Sequence, residues 1–482
     1  MNDFRPVLYV IGILLCLTAA SMTLPMFIDL IHENSDWEVF MFTGIVTLIF
    51  GLILIFSFKS KTKKISLRQA FLLTVVSWIS VAFFASIPFC YAETQLTFTN
   101  AFFESISGVT TTGATVIEGL DNLPKGILLW RSLLQWFGGI GIILLALSIL
   151  PMLQIGGMQL FHLESDDPYE KTIPKMGKFV IEIVTLYLVL TLLCSILYYF
   201  AGMSGFDAFT HSMTTIATGG FSTYDQSFSK FNSNLIEWTC IIFMIFGSLP
   251  FVIYLKTLHG DLKSFVKDDQ IKLFFTLIIF LIFFMTLWLI TKSNLTFEDS
   301  LRQSSFNIIS ILTGTGYSST NFNLWGSFGL VVLFIIMFIG GCAGSTTGGI
   351  KIFRIKLLFS AGKTQIKRLL QPHGVFVTSF NEKTIKEEAF NSVMGFFFLY
   401  ICFFAIVASL LSFMGIDFLT SISASASAIS NVGPGLGDII GPSGTYNSLP
   451  SLAKWILSIT MVVGRLEIFT FLVLFSAAFW KN

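Results

Sequence analysis

The chain has 482 residues, of which 54% are hydrophobic and 12% charged, and its mean hydropathy is +0.80. Soluble chains carry about a quarter charged residues, so this composition excludes a water-soluble globular protein and predicts that the bilayer is its solvent. The net charge of +1 and the lack of a basic stripe in the sequence argue against a nucleic-acid partner.

Ten apolar runs are long enough to cross a bilayer, which takes about 20 helical residues. They lie near 6–30, 38–58, 69–91, 128–156, 178–202, 234–257, 271–292, 327–358, 387–414 and 453–480. The first run has signal-peptide features, namely a basic Arg5 and the small residues Ala19-Ala20-Ser21. Because the run continues to Ile28, we expect a retained helix.

Lysine and arginine concentrate in alternate connections between these runs, near 59–68, 171–178, 256–272 and 351–386. Cytoplasmic loops carry the excess of positive charge in membrane proteins. With ten spans, both termini are therefore expected in the cytoplasm of a multi-pass protein, and Arg5 and Lys481 agree with this orientation.

One unit recurs four times after the first two runs, with a period of about 100 residues. It consists of an apolar run, a short semi-polar segment, a glycine-containing loop and a second apolar run. We predict an all-α polytopic membrane protein with ten spanning helices and four re-entrant pore helices in a pseudo-fourfold arrangement. The predicted divisions are two N-terminal helices at 1–66 and pore repeats at 67–160, 161–258, 259–360 and 361–482, the third with a broken second helix.

The short segments begin near Asn100, Asp207, Gln303 and Asp417, and each is predicted to be a helix of about ten residues. Asn or Asp at the start suits a helix N-cap. Each segment leads into a loop of small and hydroxylated residues, at 110–115, 217–222, 313–318 and 430–435. Counting from the segment start aligns Gly113, Gly220 and Gly316. The fourth loop needs a shift of about three residues to align Gly433, and Gly435 is the alternative.

These loops have the chemistry of a cation filter. Irregular backbone at membrane depth is tolerated only where it is buried in protein or lines a water-filled path. Rings of backbone carbonyls replace the hydration shell of potassium, and glycine permits the positive φ that turns successive carbonyls to one side. A single such loop is equally consistent with an ordinary external connection, but four in equivalent places favour the filter.

The eighth apolar run is interrupted by small residues, Gly340-Gly341-Cys342-Ala343-Gly344-Ser345-Thr346-Thr347-Gly348-Gly349. Glycine costs about 1 kcal/mol relative to alanine in a helix, so five glycines predict an unwound, mobile stretch beneath the filter that acts as a gate. A close helix-packing face of small residues is the alternative.

Arg465 lies inside the last apolar run, where a charge is costly and usually faces the bundle interior or a cavity. Glu467 is two residues further on and so lies on a different helix face, which argues against a local pair. Arg465 is either a cation beside the pathway or one half of a structural salt bridge to another helix.

Several motifs were considered and rejected. The six cysteines are scattered without a CxxC or Cys/His cluster, so we interpret them as small hydrophobic residues. Ala361-Gly362-Lys363-Thr364 resembles the end of a phosphate-binding loop, but Leu357 replaces the required glycine. The sequence contains no HExxH, GxSxG or other nucleophile–base set, and we expect no enzymatic activity and no organic cofactor.

The residues as a set resemble the TrkH subunits of the Trk/Ktr/HKT superfamily of potassium transporters. The resemblance covers essentially the whole chain, including the two extra N-terminal helices. It is carried by the segments 110–115, 136–139, 155–159, 340–346, 431–437 and 464–469.

The resemblance implies potassium uptake across a bacterial inner membrane by a homodimer, under control of a cytoplasmic nucleotide-binding subunit of the TrkA type. It implies that the filter carbonyls belong to Thr111, Thr112, Thr218, Gly219, Gly314, Thr315, Asn431 and Val432. It also implies that 340–349 is the intramembrane gate and that Arg465 is the arginine below the filter. The family commonly has glycine where this chain has Thr347, which is expected to stiffen the gate.

Two other functions remain open from the residues alone. Broken helices also occur in secondary transporters for small solutes, although those folds usually have inverted repeats. A receptor or scaffold without transport is the third reading, in which four pore loops would be superfluous. Passive conduction, proton symport and sodium symport are all compatible with the sequence.

Overall fold

The computed structural model describes residues 4–59, 66–148, 176–293, 295–374, 376–377, 379–381, 383–385 and 387–481. The predicted repeat boundary at 160/161 and the segment 155–159 lie outside these ranges. The α-helices are Arg5–Ser21, Thr23–Ile31, Asp36–Ser57, Leu67–Tyr91, Phe98–Val109, Lys125–Ser148, Met176–Phe200, Gly205–Ile216, Asn234–Ser248, Phe251–Leu258, Leu262–Lys267, Asp269–Ser293, Phe297–Leu312, Gly326–Met337, Ile352–Leu370, Glu387–Phe413, Phe418–Ser430, Ser451–Arg465, Ile468–Leu472 and Ala477–Trp480.

Short 3₁₀ turns and one small strand pair connect these helices. The turns are Leu120–Asn122, Ser227–Phe231, Phe322–Trp325, Tyr446–Ser448 and Val473–Phe475. The antiparallel strands Ser379–Phe380 and Lys383–Thr384 follow the helix Ile352–Leu370.

All ten predicted apolar runs contain helix, and the protein is a helical bundle with membrane-length elements. Within the described ranges, seven helices are long and apolar enough to cross a bilayer, and two bent helix pairs raise this number to nine. The run predicted at 327–358 is divided into Gly326–Met337 and Ile352–Leu370. The count of ten spans therefore stays a prediction.

Two runs that were predicted as continuous spans are sharply bent, and that prediction was wrong. The run at 234–257 turns by 93° between Ser248 and Phe251, and the run at 453–480 turns by 113° after Arg465. Pro250 explains the first bend, because proline cannot donate the helical hydrogen bond. At the second bend Glu467 has a φ of 67°, which no α-helix contains.

Four short helices occupy the predicted pore-helix positions and are called pore helices 1 to 4: Phe98–Val109, Gly205–Ile216, Phe297–Leu312 and Phe418–Ser430. The predicted caps Asn100 and Asp207 were wrong, because both residues lie inside the helices. Asp417 is the N-cap of the fourth helix, as predicted, whereas the first three helices are capped by Thr97, Ser204 and Thr296. Ser204, Thr296 and Asp417 cap with their side chains. These helices are 12 to 16 residues long rather than ten, which the early Ser and Thr caps account for.

Glycines bring the first and third helices into close contact. A Cβ added at Gly51 would lie 2.7 Å from Cys16 Sγ and 2.9 Å from the Gly12 carbonyl oxygen. On the same helix, a Cβ added at Gly44 would meet its nearest neighbour, the Ala19 carbonyl oxygen, at 3.7 Å. The crossing of these two helices therefore depends on Gly51 but not on Gly44.

We predict opposite effects for alanine at these two glycines. Gly51→Ala should separate the helices and destabilise the protein by about 1–3 kcal/mol, the usual range for overpacking. Gly44→Ala should be neutral or stabilise by up to about 1 kcal/mol, because alanine is the better helix former. The unfolding temperature in detergent measures the stability of both variants. An equal shift of this temperature in the two variants would contradict the close packing at Gly51.

Candidate functional site

Each pore helix ends in the same backbone turn. One or two residues after the helix end, a residue has a left-handed φ, with values of 52° at Thr111, 49° at Thr218, 69° at Gly314 and 56° at Asn431. The N–H of the next residue then bonds to the carbonyl five positions earlier, as in Thr112 to Ser107 at 2.8 Å. The same bond joins Gly219 to Thr214, Thr315 to Ser310 and Val432 to Ser427. This Schellman-type end directs the backbone out of all four pore helices in the same way.

A glycine follows two residues later in each loop, again with positive φ: 86° at Gly113, 80° at Gly220, 80° at Gly316 and 104° at Gly433. Positive φ at Gly433 and not at Gly435 gives the fourth loop the same backbone pattern as the other three. The structure thus places Gly433 in the equivalent position and Gly435 two residues beyond it.

The four glycines form a closed ring through their contacts. A Cβ added to each would collide with a carbonyl oxygen of the next loop: Gly113 with Gly219 at 2.3 Å, Gly220 with Thr315 at 1.8 Å, Gly316 with Val432 at 2.0 Å and Gly433 with Thr112 at 2.6 Å. The contacts run from loop 1 to 2, 3, 4 and back to 1. A pseudo-fourfold ring of loops is therefore present, and only glycine fits at these four positions.

The ring carries a concentration of unbonded carbonyl groups. The eight predicted filter residues are all buried. Seven of their carbonyls accept no hydrogen bond from any residue in the described ranges, and the exception is Gly219. More than 90% of buried backbone groups in proteins are paired with protein or ordered water, so seven open carbonyls in one place are available to water or to a cation.

The stretch predicted as a gate is unwound, as expected, and folds into a buried loop whose ends are joined. The Gly340 N–H donates to the Ile350 carbonyl at 2.6 Å, and the Ile350 N–H donates to the Phe338 carbonyl at 3.0 Å. Cys342 and Thr346 donate to the carbonyls of Ser248 and Gly247, which the bend before Pro250 leaves free. This loop, 340–349, is called the gate loop below.

The gate loop contacts two opposite members of the ring. The Thr346 hydroxyl donates to the Ile216 carbonyl at 3.1 Å and accepts from the Thr218 hydroxyl at 3.0 Å, in loop 2. A Cβ added at Gly348 would lie 2.4 Å from the Ser430 carbonyl oxygen, at the start of loop 4. The gate loop therefore contacts loops 2 and 4 where pore helices 2 and 4 end, on the side of the pore-helix C-termini.

Thr347, which the sequence analysis singled out, bonds to several residues of the gate loop. Its hydroxyl accepts from the Gly341 N–H at 3.1 Å and lies 2.9 Å from the Ser345 hydroxyl. The ammonium group of Lys351 donates to the Thr347 carbonyl at 2.7 Å. The side chain of Thr347 therefore connects the start of the loop to Ser345, and its carbonyl binds Lys351 just after the loop.

Arg465 is a buried cation without a counterion in the part of the chain that the structure describes. It is 3% exposed, and its three guanidinium nitrogens have no hydrogen-bond partner among the described residues. It lies close enough to Lys351 for the two charges to interact. Glu467 instead pairs with Arg354 at 2.5 Å, so the expectation that Glu467 does not pair with Arg465 agrees with the structure.

A buried ion pair behind the ring was missed in the sequence analysis. Arg131 Nε lies 2.8 Å from Glu104 Oε1, and both side chains are fully buried. Arg131 also donates to the Ser222 carbonyl at 2.7 Å and stacks on Phe221, while Glu104 accepts from the Val116 N–H at 2.9 Å. The pair thus joins pore helix 1 to the ends of loops 1 and 2. Glutamate in an apolar pore helix was the signal that could have revealed it.

Breaking this pair should destabilise the protein. Glu104→Gln leaves Arg131 buried without a counterion, which costs about 3–5 kcal/mol. The exposed pair Lys178–Glu182, at 4.0 Å, is the control, since an exposed pair contributes about 0–1 kcal/mol. Thermal unfolding of Glu104→Gln and Glu182→Gln compares the two ion pairs. Similar small losses of stability in both variants would contradict the stabilising role of the Glu104–Arg131 pair.

Four short helices whose C-termini converge on a ring of open carbonyls, inside a bundle of membrane-length helices, define a pore-loop membrane protein. The TrkH family model, described as cation transport protein, matches residues 37–482. The potassium uptake protein TrkI of Halomonas elongata is 39% identical, with 100% of this chain and 98% of that protein covered. TrkH of Escherichia coli K12 is 37% identical, with 99% and 100% covered.

A solved structure has the same fold. The crystal structure of the potassium transporter TrkH from Vibrio parahaemolyticus matches with a TM-score of 0.92 and 35% sequence identity, and 100% of both chains is covered. The chain belongs to the TrkH family of cation transport proteins.

Proposed function

We propose that this protein takes up potassium across the bacterial inner membrane through the ring of four loops. The observation that carries the proposal is the set of seven open, buried carbonyls within a closed ring. Carbonyl rings are the ligands that replace the hydration shell of potassium. The names of the relatives, all potassium uptake or potassium transporter proteins, supply the identity of the ion.

Ion binding in this ring involves Thr111, Thr112, Thr218, Gly219, Gly314, Thr315, Asn431 and Val432, two successive carbonyls from each loop. The glycines Gly113, Gly220, Gly316 and Gly433 let neighbouring loops touch and so fix the size of the ring. Each pore helix ends at the ring with its C-terminus, which adds about half a negative elementary charge to the potential that a cation meets.

The gate loop and Arg465 control passage beneath the ring. The contacts of the gate loop with loops 2 and 4 support this role, because an ion that leaves the ring on the side of the pore-helix C-termini would meet the loop. In this proposal the barrier is formed by Gly340, Gly341, Gly344, Ser345, Thr346, Thr347, Gly348 and Gly349. The unpaired charge of Arg465 near the loop repels cations, and displacement of the loop is the opening movement.

The regulatory and assembly features follow from family membership. We propose a homodimer with both termini in the cytoplasm and a TrkA-type nucleotide-binding subunit as partner. The partner would contact the cytoplasmic segments near 160–177, 258–270 and 360–386, of which 160–175 lies outside the described residues. The exposed Lys263, Lys363 and Lys367 in the other two segments fit an acidic partner surface.

Coupled transport is the second candidate function, because the open carbonyls determine which ion binds and not what drives it. Rubidium uptake into proteoliposomes under imposed proton and sodium gradients distinguishes the two. Passive conduction predicts uptake that follows only the rubidium gradient and the membrane potential. Symport predicts uptake against the rubidium gradient when the other gradient is imposed.

Gly113→Ala should abolish selective rubidium flux. The new Cβ would overlap the Gly219 carbonyl oxygen and force loops 1 and 2 apart. Gly119→Ala is the matched control in the connection that follows loop 1, since Gly119 also has positive φ, 74°, but nothing lies within 4 Å of its added Cβ. The Gly119→Ala variant therefore has the backbone strain of about 1–3 kcal/mol that alanine meets at positive φ, but its Cβ does not collide with a neighbouring carbonyl oxygen.

The measurement is rubidium uptake and its competition by sodium in proteoliposomes. We expect at least a tenfold loss of rubidium over sodium preference in Gly113→Ala and less than a twofold change in Gly119→Ala. Unchanged selectivity in folded Gly113→Ala would mean that the ring is not the filter.

Thr347→Val should open the gate loop more readily. Valine has the shape of threonine but removes the hydroxyl that bonds to Gly341 and Ser345, while Thr347→Ser retains it. Each such bond contributes about 0.5–1.5 kcal/mol, so rubidium flux should rise about two- to tenfold in the valine variant and stay near wild type in the serine variant. Equal flux in both variants would show that the hydroxyl does not restrain the gate.

A further inference from the structure

Gln135 occupies an unusual position behind the second filter loop. It lies on the helix Lys125–Ser148, one turn after Arg131, and is completely buried. Its Nε2 donates to the Gly219 carbonyl at 2.5 Å, and its Oε1 accepts from the Phe221 N–H at 3.0 Å. One side chain therefore bonds to the backbone on both sides of the filter glycine Gly220.

This contact makes the ring asymmetric. Gly219 is the ring residue whose carbonyl has a side-chain donor, whereas the equivalent carbonyls of Thr112, Thr315 and Val432 accept no bond from the residues that the structure describes. A carbonyl oxygen has two lone pairs, so Gly219 can bind an ion and the amide together. The amide bond fixes the direction of this carbonyl and withdraws part of its negative charge.

The same contact explains why residue 219 is glycine. A Cβ at this position would lie 2.4 Å from Gln135 Cδ. The equivalent residues in the other loops, Thr112, Thr315 and Val432, all have a side chain. In loop 2 the amide group of Gln135 occupies the space that a side chain at position 219 would need. The position of the Gln135 amide therefore requires glycine at residue 219.

We propose that Gln135 is a specificity-determining positioning residue for the ion pathway. By holding the Gly219 carbonyl and the Phe221 N–H in one rigid unit, it sets the diameter of the ring at loop 2 and so the preference for potassium over the smaller sodium ion. This inference rests on the proposed filter function. Because a dehydrated sodium ion needs shorter oxygen contacts, a ring that is free to contract loses discrimination.

Two variants separate this role from simple core packing. Gln135→Met has a similar length and fills the space but makes neither bond. Gln135→Glu retains an oxygen acceptor for the Phe221 N–H, and only its ionised form lacks a donor to the Gly219 carbonyl. Because burial raises the pKa of a carboxyl group, this variant is assayed at alkaline pH beside wild type. Ser132→Ala is the control on the same helix, because the buried Ser132 hydroxyl bonds only to Leu128 within that helix.

The experiment measures the rubidium-to-sodium uptake ratio of the full-length protein in proteoliposomes, together with thermal stability. We expect the ratio to fall at least tenfold in both Gln135→Met and Gln135→Glu, with rubidium uptake still measurable, and to stay within twofold of wild type in Ser132→Ala. A ratio that falls in Gln135→Met but not in Gln135→Glu would overturn the role of the Gly219 carbonyl bond.

The outcome is distinguishable from failure of the filter itself. If Gly113→Ala changes the ratio and the two Gln135 variants do not, the filter stands and the inference about Gln135 is wrong. If Gly113→Ala leaves the ratio unchanged, the filter assignment fails first. Loss of folded protein in both Gln135 variants would also overturn the inference, since it would assign Gln135 to structural support.

Discussion

The arrangement depends on four contacts in which the Cα of a glycine meets a carbonyl oxygen of the neighbouring loop. Added Cβ atoms at Gly113, Gly220, Gly316 and Gly433 would lie 1.8–2.6 Å from those oxygens, well inside any real contact. No larger residue closes the ring at this size. The common Schellman ends of the pore helices bring the four loops to this meeting point. Irregular backbone of this kind is tolerated at membrane depth where it is buried in protein or lines a water-filled path.

The broken helices around the ring supply hydrogen-bond partners for backbone groups of the gate loop. Pro250 ends the helix Asn234–Ser248, and the carbonyls of Gly247 and Ser248 then accept N–H groups of the gate loop. The unwound gate loop is therefore fully buried and well bonded rather than loose. Charge is also distributed unevenly: Arg131 is neutralised by Glu104 behind the ring, while Arg465 is left unpaired among the described residues beside the gate loop.

The sequence predicted the elements that have a local or repeated signal. Apolar run length identified the helices. Glycine among small and hydroxylated residues identified the four filter loops and, in addition, the loop at 340–349. The bends at Pro250 and Glu467 were missed because composition alone continues through them. Gln135 and the Glu104–Arg131 pair were missed because their partners lie 27 to 86 positions away in sequence. The starts of pore helices 2 and 3 were misplaced because serine and threonine also cap helices, and Ser204 and Thr296 precede the expected starts. The start at Asp417 was correct.

The most direct test of a carbonyl ring as the ion site is anomalous X-ray diffraction from crystals of this protein grown in rubidium. The proposed filter predicts rubidium peaks on the axis of the four loops, within coordination distance of the carbonyls of Thr112, Gly219, Thr315 and Val432, and weaker or displaced peaks in Gly113→Ala. Well-ordered crystals in rubidium with no peak between the loops, or with peaks only elsewhere in the bundle, would contradict it.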